Sequence, residues 1–341
     1  MTFDLAFPWA NGSPRDKALL KGENAHFFVA EDLGFTPAGI GEHLYLQLES
    51  SGDNTQWLAD VMAEVLAVQS VDVGFCGLKD RNAMTQQWFS LYDPKREVEA
   101  RLQTKMAELQ SRLPSLRVLQ KTRGAAKLRR GDHAGNHFVI TLVLDEPAAP
   151  DLKRRLAHIS DQGVPNYFGL QRFGRDGNNL NSFAQWLQAE AQLPINKRNK
   201  RRKPTGIILS AARSWLFNQV LAARVQAGNW RDVLSGDVLI DTNEQAASAP
   251  LWGRGRSATA DVAFNIECQA LAPFMSWANA LEHFGLQQER RALVCKPVDF
   301  QWRLAEQHLT LSFFLPPGAY ATTVLRELCD CYEPDRHQVK R

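Results

Sequence analysis

Three segments of the 341-residue chain alternate apolar and polar positions, and they lie far apart in the sequence. They are "EHLYLQLES" (42–50), "HFVITLVLDEP" (137–147) and "LTLSFFLPP" (309–317). This period of two is typical of a strand with one buried face. The pattern predicts an α+β domain whose sheet takes strands from both ends of the chain, with an insert of about 130 residues between them, a usual domain size. Two consecutive domains would explain the pattern nearly as well.

Two other segments have the period of an amphipathic helix. In "DNTQWLADVMAEVLAVQ" (53–69) the apolar residues recur at i, i+3, i+4, i+7 and i+8, with Asn54 or Thr55 available as N-cap. "SAARSWLFNQVLAARVQAG" (210–228) predicts a second helix, with Ser210 as N-cap and Gly228 as C-cap.

Composition narrows the class of protein. The apolar fraction is 44%, enough for one large core or two. No signal peptide pattern and no apolar run long enough to span a membrane is present, so we expect a soluble, cytoplasmic protein without a membrane partner. The five cysteines include no C-x-x-C pair, so neither a disulfide framework nor a zinc site is favoured.

The positive charge is concentrated in two runs, although the net charge is only +3. "NKRNKRRKP" (196–204) and "QKTRGAAKLRRGDH" (120–133) are rich in Lys and Arg. A single run of this kind is usually a solvated loop, but two runs in one chain favour a partner with a phosphate backbone.

One carboxylate lies between two cations in a segment that otherwise predicts strand, turn and strand. In "GFCGLKDRNAMTQQWFSL" (74–91), Asp80 follows Gly77 closely and is flanked by Lys79 and Arg81. An Asp in a turn is usually an Asx-turn or capping residue, but two adjacent cations on a rigid scaffold weaken that interpretation. The chain has no G-x-x-x-x-G-K-[ST], G-x-G-x-x-G, H-E-x-x-H or D-x-D motif. No sequence motif therefore supports a phosphate-binding loop, a dinucleotide site or a metal site.

Five segments together resemble one known family. In chain order they are "EDLGFTPAGIGEHL", "GLKDRNAMTQQW", "GVPNYFGLQRFG", "LSAARSWLFNQ" and "LPPGAYATTVLREL", and they resemble the signature segments of the tRNA pseudouridine synthase D family. The resemblance runs almost from end to end of the chain.

The resemblance implies a particular α+β architecture. A pseudouridine-synthase-type mixed sheet with flanking helices is expected to be interrupted by a family-specific α/β insertion domain, in a V-shaped molecule of two domains. On this chain the catalytic domain would comprise residues 1–162 and 296–341, and the insertion domain residues 163–295.

The resemblance also implies the reaction, which is isomerisation of uridine to pseudouridine in tRNA, at uridine-13 of the D-arm, without a cofactor or a metal. Asp80 matches the family's catalytic aspartate. The reaction must break the bond between C1′ and N1 and join C5 to C1′. A carboxylate can serve by attacking C1′ or by taking a proton from C2′. It must stay ionised, and Lys79, Arg81 or the more distant Lys21 could supply the cation that favours this.

Contacts to the substrate are implied in the same way. The target base must be flipped out and held. Phe27, Asn136 and Tyr320 match family positions that contact the target nucleotide, with Tyr320 standing where phenylalanine occurs in the family. Phe138 stands where many other pseudouridine synthases carry an active-site tyrosine. From the residues alone, Phe27 and Phe138 would be interpreted as core packing.

Two other functions stay open. A non-catalytic RNA-binding or RNA-folding module would have no need for an ionised acid in the pocket of an anionic partner. A nucleoside or glycoside hydrolase using Asp80 would want a second acid close by, and no paired carboxylate is evident. We expect a monomer because no heptad or exposed apolar helix stands out.

Overall fold

The computed structural model describes residues 3–193, 203–241 and 245–334. In these ranges the helices are α1 Thr55–Val65, α2 Glu97–Arg112, α3 Leu152–Gln162, α4 Asn178–Ala191, α5 Gly206–Gln226, α6 Asp261–Leu271, α7 Met275–His283 and α8 Ala321–Arg326. The strands are β1 Lys17–Leu19, β2 Phe27–Asp32, β3 His43–Ser51, β4 Val73–Phe75, β5 Met84–Tyr92, β6 Arg117–Gly124, β7 Gly135–Leu144, β8 Val164–Pro165, β9 Leu239–Asp241, β10 Gln245–Leu251, β11 Glu289–Ala292, β12 Val294–Cys295, β13 Val298–Ala305, β14 His308–Leu315 and β15 Asp330–Tyr332. None of the helices in these ranges has the length and apolarity that crossing a membrane requires.

The chain divides into two compact units. The sheet unit consists of Arg15–Leu156, Pro297–Gly318 and the residues from Cys329 onward. The helical unit consists of the residues up to Pro14, Ala157–Lys296 and Ala319–Leu328. It therefore takes in short segments from near both ends of the chain, in addition to the long middle segment. The limits 163 and 295 expected for an insertion domain stay a prediction.

The sheet unit is built on a mixed sheet with the strand order β13-β14-β7-β2-β5-β3-β6, to which β1, β4 and β15 are also paired. The pairs β2–β5 and β1–β15 are parallel. Strand β14 pairs antiparallel with β7 along its whole length, from His308 opposite Val143 to Leu315 opposite Asn136. The prediction that the sheet takes strands from both ends of the chain is confirmed, and so is the α+β class.

The alternation read from the sequence corresponds to burial in the sheet unit. The predicted inward residues are at most 8% exposed: Leu44, Leu46, Leu48, Phe138, Ile140, Leu142, Leu144, Leu309, Leu311, Phe313 and Leu315. Helix α1 packs Leu58 and Met62 into the same core cluster as the β3 leucines. Its N-cap is Asn54, whose side chain accepts a hydrogen bond from the Trp57 N–H at 2.8 Å. Each fully buried leucine stabilises the fold by about 1.5–3 kcal/mol, so this helix is held firmly on the sheet.

Helix α5 lies at the centre of the helical unit. Trp215 on this helix packs edge-on against Phe173, with ring centroids 5.9 Å apart. The helix begins at Gly206 with Thr205 as N-cap, so the prediction of Ser210 as N-cap was wrong. Ser210 instead accepts a hydrogen bond from Arg172 at 2.5 Å, a tertiary contact that the helical period could not reveal.

The "NYFGLQRFG" segment (166–174) packs inside the helical unit. Tyr167, Phe168 and Phe173 are at most 6% exposed and belong to its core cluster. Arg172 also donates to the Ser214 hydroxyl at 3.2 Å. Most of the aromatic surface in this segment therefore stabilises the fold.

Candidate active site

A network of buried polar side chains holds the turn that carries Asp80. The Thr55 hydroxyl, at the start of α1, accepts a hydrogen bond from the Lys79 backbone N–H at 2.8 Å and donates to Gln87 Oε1 at 2.8 Å. Gln87 Nε2 donates to the Gly77 carbonyl at 2.8 Å. Thr55 and Gln87 are each 1% exposed. Helix α1 and strand β5 thus fix the backbone just before Asp80.

The ammonium of Lys21 faces the carboxylate of Asp80. Lys21 Nζ lies 2.5 Å from Asp80 Oδ2, and Lys21 is 1% exposed. The same ammonium lies 5.0 Å from the centroid of the Phe27 ring. Lys21 has a φ of 57°, in the left-handed region that side chains other than glycine rarely adopt. A strained residue with a buried charge persists only where its surroundings determine it strongly, which is typical of functional sites.

This contact controls the ionisation of Asp80. Burial raises the pKa of the Asp80 carboxyl, but the hydrogen bond and charge of Lys21, with the backbone N–H groups of Asn82 and Arg81, lower it further than burial raises it. The pKa therefore lies below its ordinary value, and the carboxylate is ionised at neutral pH. Because its side chain is 37% exposed, Asp80 is also accessible to a substrate.

A second carboxylate shares the Lys21 ammonium. Strand β15 pairs in parallel with β1, with Leu19 opposite Tyr332. This register brings Glu333, the next residue, to 3.0 Å from Lys21 Nζ. The sequence showed no paired carboxylate near Asp80, and that prediction was wrong because the pair depends on how the last strand docks.

The two cations that flank Asp80 in the sequence have other contacts. Lys79 Nζ lies 3.0 Å from Glu31 Oε2 and also donates to Asn136 Oδ1. Arg81 is exposed, and its backbone N–H is the group that bonds to the Asp80 carboxylate. Of the three candidate cations, Lys21 is therefore the one whose charge lowers the pKa of Asp80.

Glu31 is a buried acid that the sequence reasoning missed. Its side chain is fully buried beside Lys79, and its Oε1 accepts a hydrogen bond from the Trp88 backbone N–H at 3.2 Å. In β2, Phe27, Val29 and Glu31 are the buried positions. An acid at an inward position of a strand is the signal that could have identified it.

The register of β2 against β7 groups further predicted residues. Glu31 lies opposite Asn136, and Val29 opposite Phe138. The rings of Phe27 and Phe138 meet edge-on with centroids 6.2 Å apart, and they are 7% and 8% exposed. Most of the surface of these two rings is therefore core packing, while Phe27 also contacts the Lys21 ammonium.

Tyr320 lies in the helical unit. It is the N-cap residue of α8, and its carbonyl accepts from the Thr323 hydroxyl at 2.6 Å. Its half-buried ring meets Phe168 with centroids 6.1 Å apart. The other predicted site residues, Asp80, Lys21, Lys79, Arg81, Phe27, Asn136 and Phe138, all belong to the sheet unit.

The 120–133 basic run contains cations that pair with acids of the sheet unit. In the 120–133 run, Arg123 is 6% exposed and pairs with Asp93 at 3.4 Å and Glu99 at 3.1 Å. Lys121 pairs with Glu99 at 2.9 Å. Part of this run therefore supports the fold. The 196–204 run lies almost wholly outside the described residues.

Within residues 3–193, 203–241 and 245–334, no group of three or more His, Cys, Asp or Glu side chains is placed to hold a metal ion.

Comparison with known proteins gives consistent matches. The family model described as "tRNA pseudouridine synthase D (TruD)" matches residues 9–187 and 270–328. The chain is 43% identical over 334 residues to the tRNA pseudouridine synthase D of Cellvibrio japonicus, covering 96% of this chain and 93% of that protein. It is 40% identical over 348 residues to the Aeromonas hydrophila protein of the same name, covering 96% and 95%. Its fold resembles the crystal structure of a Methanosarcina mazei protein described as a candidate tRNA pseudouridine synthase D, with a TM-score of 0.68 and 22% identity over 94% of this chain and 95% of that one.

Proposed function

Because the chain belongs to the tRNA pseudouridine synthase D family, we propose that it isomerises uridine-13 in the D-arm of tRNA to pseudouridine, with Asp80 as the catalytic carboxylate and no cofactor. The observation that carries this proposal is the contact between Asp80 and Lys21. A rigid turn presents an accessible carboxylate, and a buried ammonium at 2.5 Å keeps it ionised. That is the chemical state the reaction requires.

Asp80 can serve in either of two ways. It can form a bond to C1′ while the C1′–N1 electron pair leaves with the uracil, after which C5 of the turned base displaces the carboxylate and loses its proton. Alternatively, it can take the C2′ proton while uracil departs, which leaves a glycal. C5 then adds to C1′ as the proton returns to C2′, and C5 loses its own proton. Both routes begin with an anionic Asp80, so the role of Lys21 is the same in each.

The substrate contacts are proposed from the family positions. The target uridine must leave its stack in the RNA, and its base needs an aromatic surface and polar groups at its edge. Asn136 is half-buried and places a polar group at the start of β7. Phe27, Phe138 and Tyr320 are the aromatic candidates. The 196–204 run is proposed to contact phosphates, which would make binding strongly dependent on salt. That the protein is a monomer and that it is cytoplasmic both stay predictions.

The presence of Glu333 makes a hydrolase the competing function to test. Two carboxylates beside a scissile glycosidic bond can cleave it without rejoining the base. An isomerase keeps the base covalently attached, whereas a hydrolase releases free uracil. The two products therefore separate the functions directly.

The experiment incubates purified protein with unmodified tRNA and compares wild type with Asp80→Asn, which keeps the shape of the side chain but removes its charge. Pseudouridine is mapped by carbodiimide labelling and primer extension, and free uracil is measured in the same reaction. We expect a stop at position 13 with wild type, none with Asp80→Asn, and no free uracil. Salt-sensitive tRNA binding without any product from wild type would favour the RNA-binding module, and release of uracil would favour the hydrolase.

A further inference from the structure

The carboxamide of Asn136 is held at both ends by different side chains. Its Oδ1 accepts a hydrogen bond from Lys79 Nζ, and its Nδ2 lies 3.4 Å from His133 Nε2. His133 is 9% exposed and comes three residues before Asn136, just ahead of β7.

The chemistry of Lys79 determines the orientation of this carboxamide. An ammonium has three donors and no acceptor, so the Asn136 atom that faces it must be the oxygen. The amide nitrogen then faces His133. Because that nitrogen is a donor, His133 Nε2 must act as an acceptor, which requires a neutral imidazole with its proton on Nδ1.

The surroundings of His133 favour that neutral form. Burial lowers the pKa of His133 below its ordinary value, and the charge of Lys79 acts in the same direction. The charges of Glu31 and Asp132 act in the opposite direction but do not outweigh burial. His133 Nδ1 is buried and has no hydrogen-bond partner among the described residues.

We propose that Lys79 and His133 together lock the Asn136 carboxamide in the orientation that pairs with uracil and not with cytosine, so that His133 is a positioning residue for base selection. This inference rests on the proposed function. The two contacts use one lone pair of Oδ1 and one N–H of Nδ2, and a carboxamide has two of each. One acceptor and one donor, on neighbouring atoms of the carboxamide, therefore remain for the edge of a base.

Uracil and cytosine present opposite patterns to such a pair. Uracil has a donor at N3 beside an acceptor at O4, whereas cytosine has an acceptor at N3 beside a donor at N4. With its oxygen opposite N3, the carboxamide can make two hydrogen bonds to uracil. With cytosine in the same position, both pairs would be mismatched. With the base held in that position, a carboxamide turned by 180° would favour cytosine, so the orientation of the carboxamide decides which base is accepted there.

Of the two contacts, the one to His133 is the weaker. Lys79 is anchored by the fully buried Glu31 at 3.0 Å, so its position is fixed. The contact from His133 is long at 3.4 Å, and protonation of Nε2 would set two donors against each other. A change of His133 should therefore leave Oδ1 on Lys79 but free the Nδ2 end, so that the plane of the carboxamide can turn away from the edge of the base and its second hydrogen bond to uracil is lost.

The test compares His133→Leu, which removes the acceptor, with His133→Gln, whose side-chain oxygen can replace Nε2 but cannot be protonated. Each change is made in Asp80→Asn protein to prevent turnover, and thermal melting checks that each variant is folded. Dissociation constants are measured for tRNA carrying uridine or cytidine at the target position. We expect His133→Leu to reduce the preference for uridine roughly tenfold, within the range for one base-edge pair, and His133→Gln to retain it. As the pH falls below the pKa of His133, the preference should decline with His133 present but not in His133→Gln.

Two results would overturn the inference. One is an unchanged preference in His133→Leu, whether affinity is retained or falls equally for both tRNAs. The other is a pH dependence that persists in His133→Gln. Failure of the proposed function can be told apart from failure of this inference. If the proposed function is wrong, wild-type protein, with Asp80 and His133 both intact, forms no pseudouridine.

Discussion

Replacing Thr55 by valine tests whether the buried network positions Asp80. The substitution conserves volume but removes the hydroxyl that links the Lys79 N–H to Gln87 Oε1. Each buried group left without a partner costs about 1–3 kcal/mol. Since one of the two bonds is only partly buried, we expect Thr55→Val to lower the free energy of unfolding by about 2–4 kcal/mol. Thr55→Ser keeps the hydroxyl and loses one methyl, at a cost of about 1 kcal/mol.

The effect on turnover should exceed what lost stability explains. The turn before Asp80 loses its anchor in α1, and small displacements of a reacting group can cost roughly a hundredfold in rate. We expect the single-turnover rate of Thr55→Val, measured where it is fully folded, to fall roughly ten- to a hundredfold. Affinity for tRNA should be unchanged because Thr55 is 1% exposed.

Urea unfolding and single-turnover pseudouridine formation are measured for both Thr55 variants. Gln87→Leu, alone and combined with Thr55→Val, completes a double-mutant cycle for the free energy of unfolding. Thr55 and Gln87 should couple by about 0.5–3 kcal/mol. If Thr55→Val matches Thr55→Ser in both stability and rate, the Thr55 hydroxyl does not position the turn that carries Asp80.

Three other predictions follow from the charges and thiols. Lys21→Met should raise the pKa of Asp80, because burial then acts without the opposing ammonium. The acid limb of kcat/KM should therefore move to higher pH, while that of Lys21→Arg stays near wild type; an unshifted acid limb in Lys21→Met would contradict this. Glu333→Gln leaves the Lys21 ammonium paired with Asp80 alone, so the acid limb of kcat/KM should move to lower pH while turnover at neutral pH is retained. Loss of turnover at every pH would instead indicate that Glu333 takes part in the chemistry. In a thiol-labelling time course on the folded protein, exposed Cys268 should react first. Buried Cys295, whose pKa is raised to about 11, should react only on unfolding. Mass spectrometry of the labelled peptides measures both rates.

The strands and first helix could be predicted from the sequence because their signal is local. The alternation of apolar and polar residues in 42–50, 137–147 and 309–317 predicts which side chains each strand buries. The exposed fractions of those side chains confirm the prediction. The helix start at Asn54 is equally local, since the cap lies within one turn of the groups it satisfies. The start of α5 was predicted wrongly at Ser210 because a tertiary bond to Arg172 uses that side chain.

The candidate site could be predicted only in part, because its partners meet through strand register. From the residues alone, Asp80 was an acid in a turn, and the family resemblance was needed to single it out. The sequence left Lys79, Arg81 and Lys21 as candidate cations, and only the folded contacts single out Lys21. Lys21 and Glu333 come together through the pairing of β1 with β15, and no local pattern contains both.

The two buried lysines of the site have different partners and therefore different tasks. Lys21 lies against an accessible carboxylate, so its charge acts on the group proposed to react. Lys79 is paired with Glu31, which is fully buried, so the net charge of that pair is zero. A buried ion pair recovers in attraction little more than it loses in hydration, and apolar residues of the same size often stabilise a fold as well. Stability alone therefore does not account for Lys79 and Glu31. An apolar pair could not present a donor-only group to Asn136 Oδ1. The need for such a donor accounts for the charged side chain of Lys79.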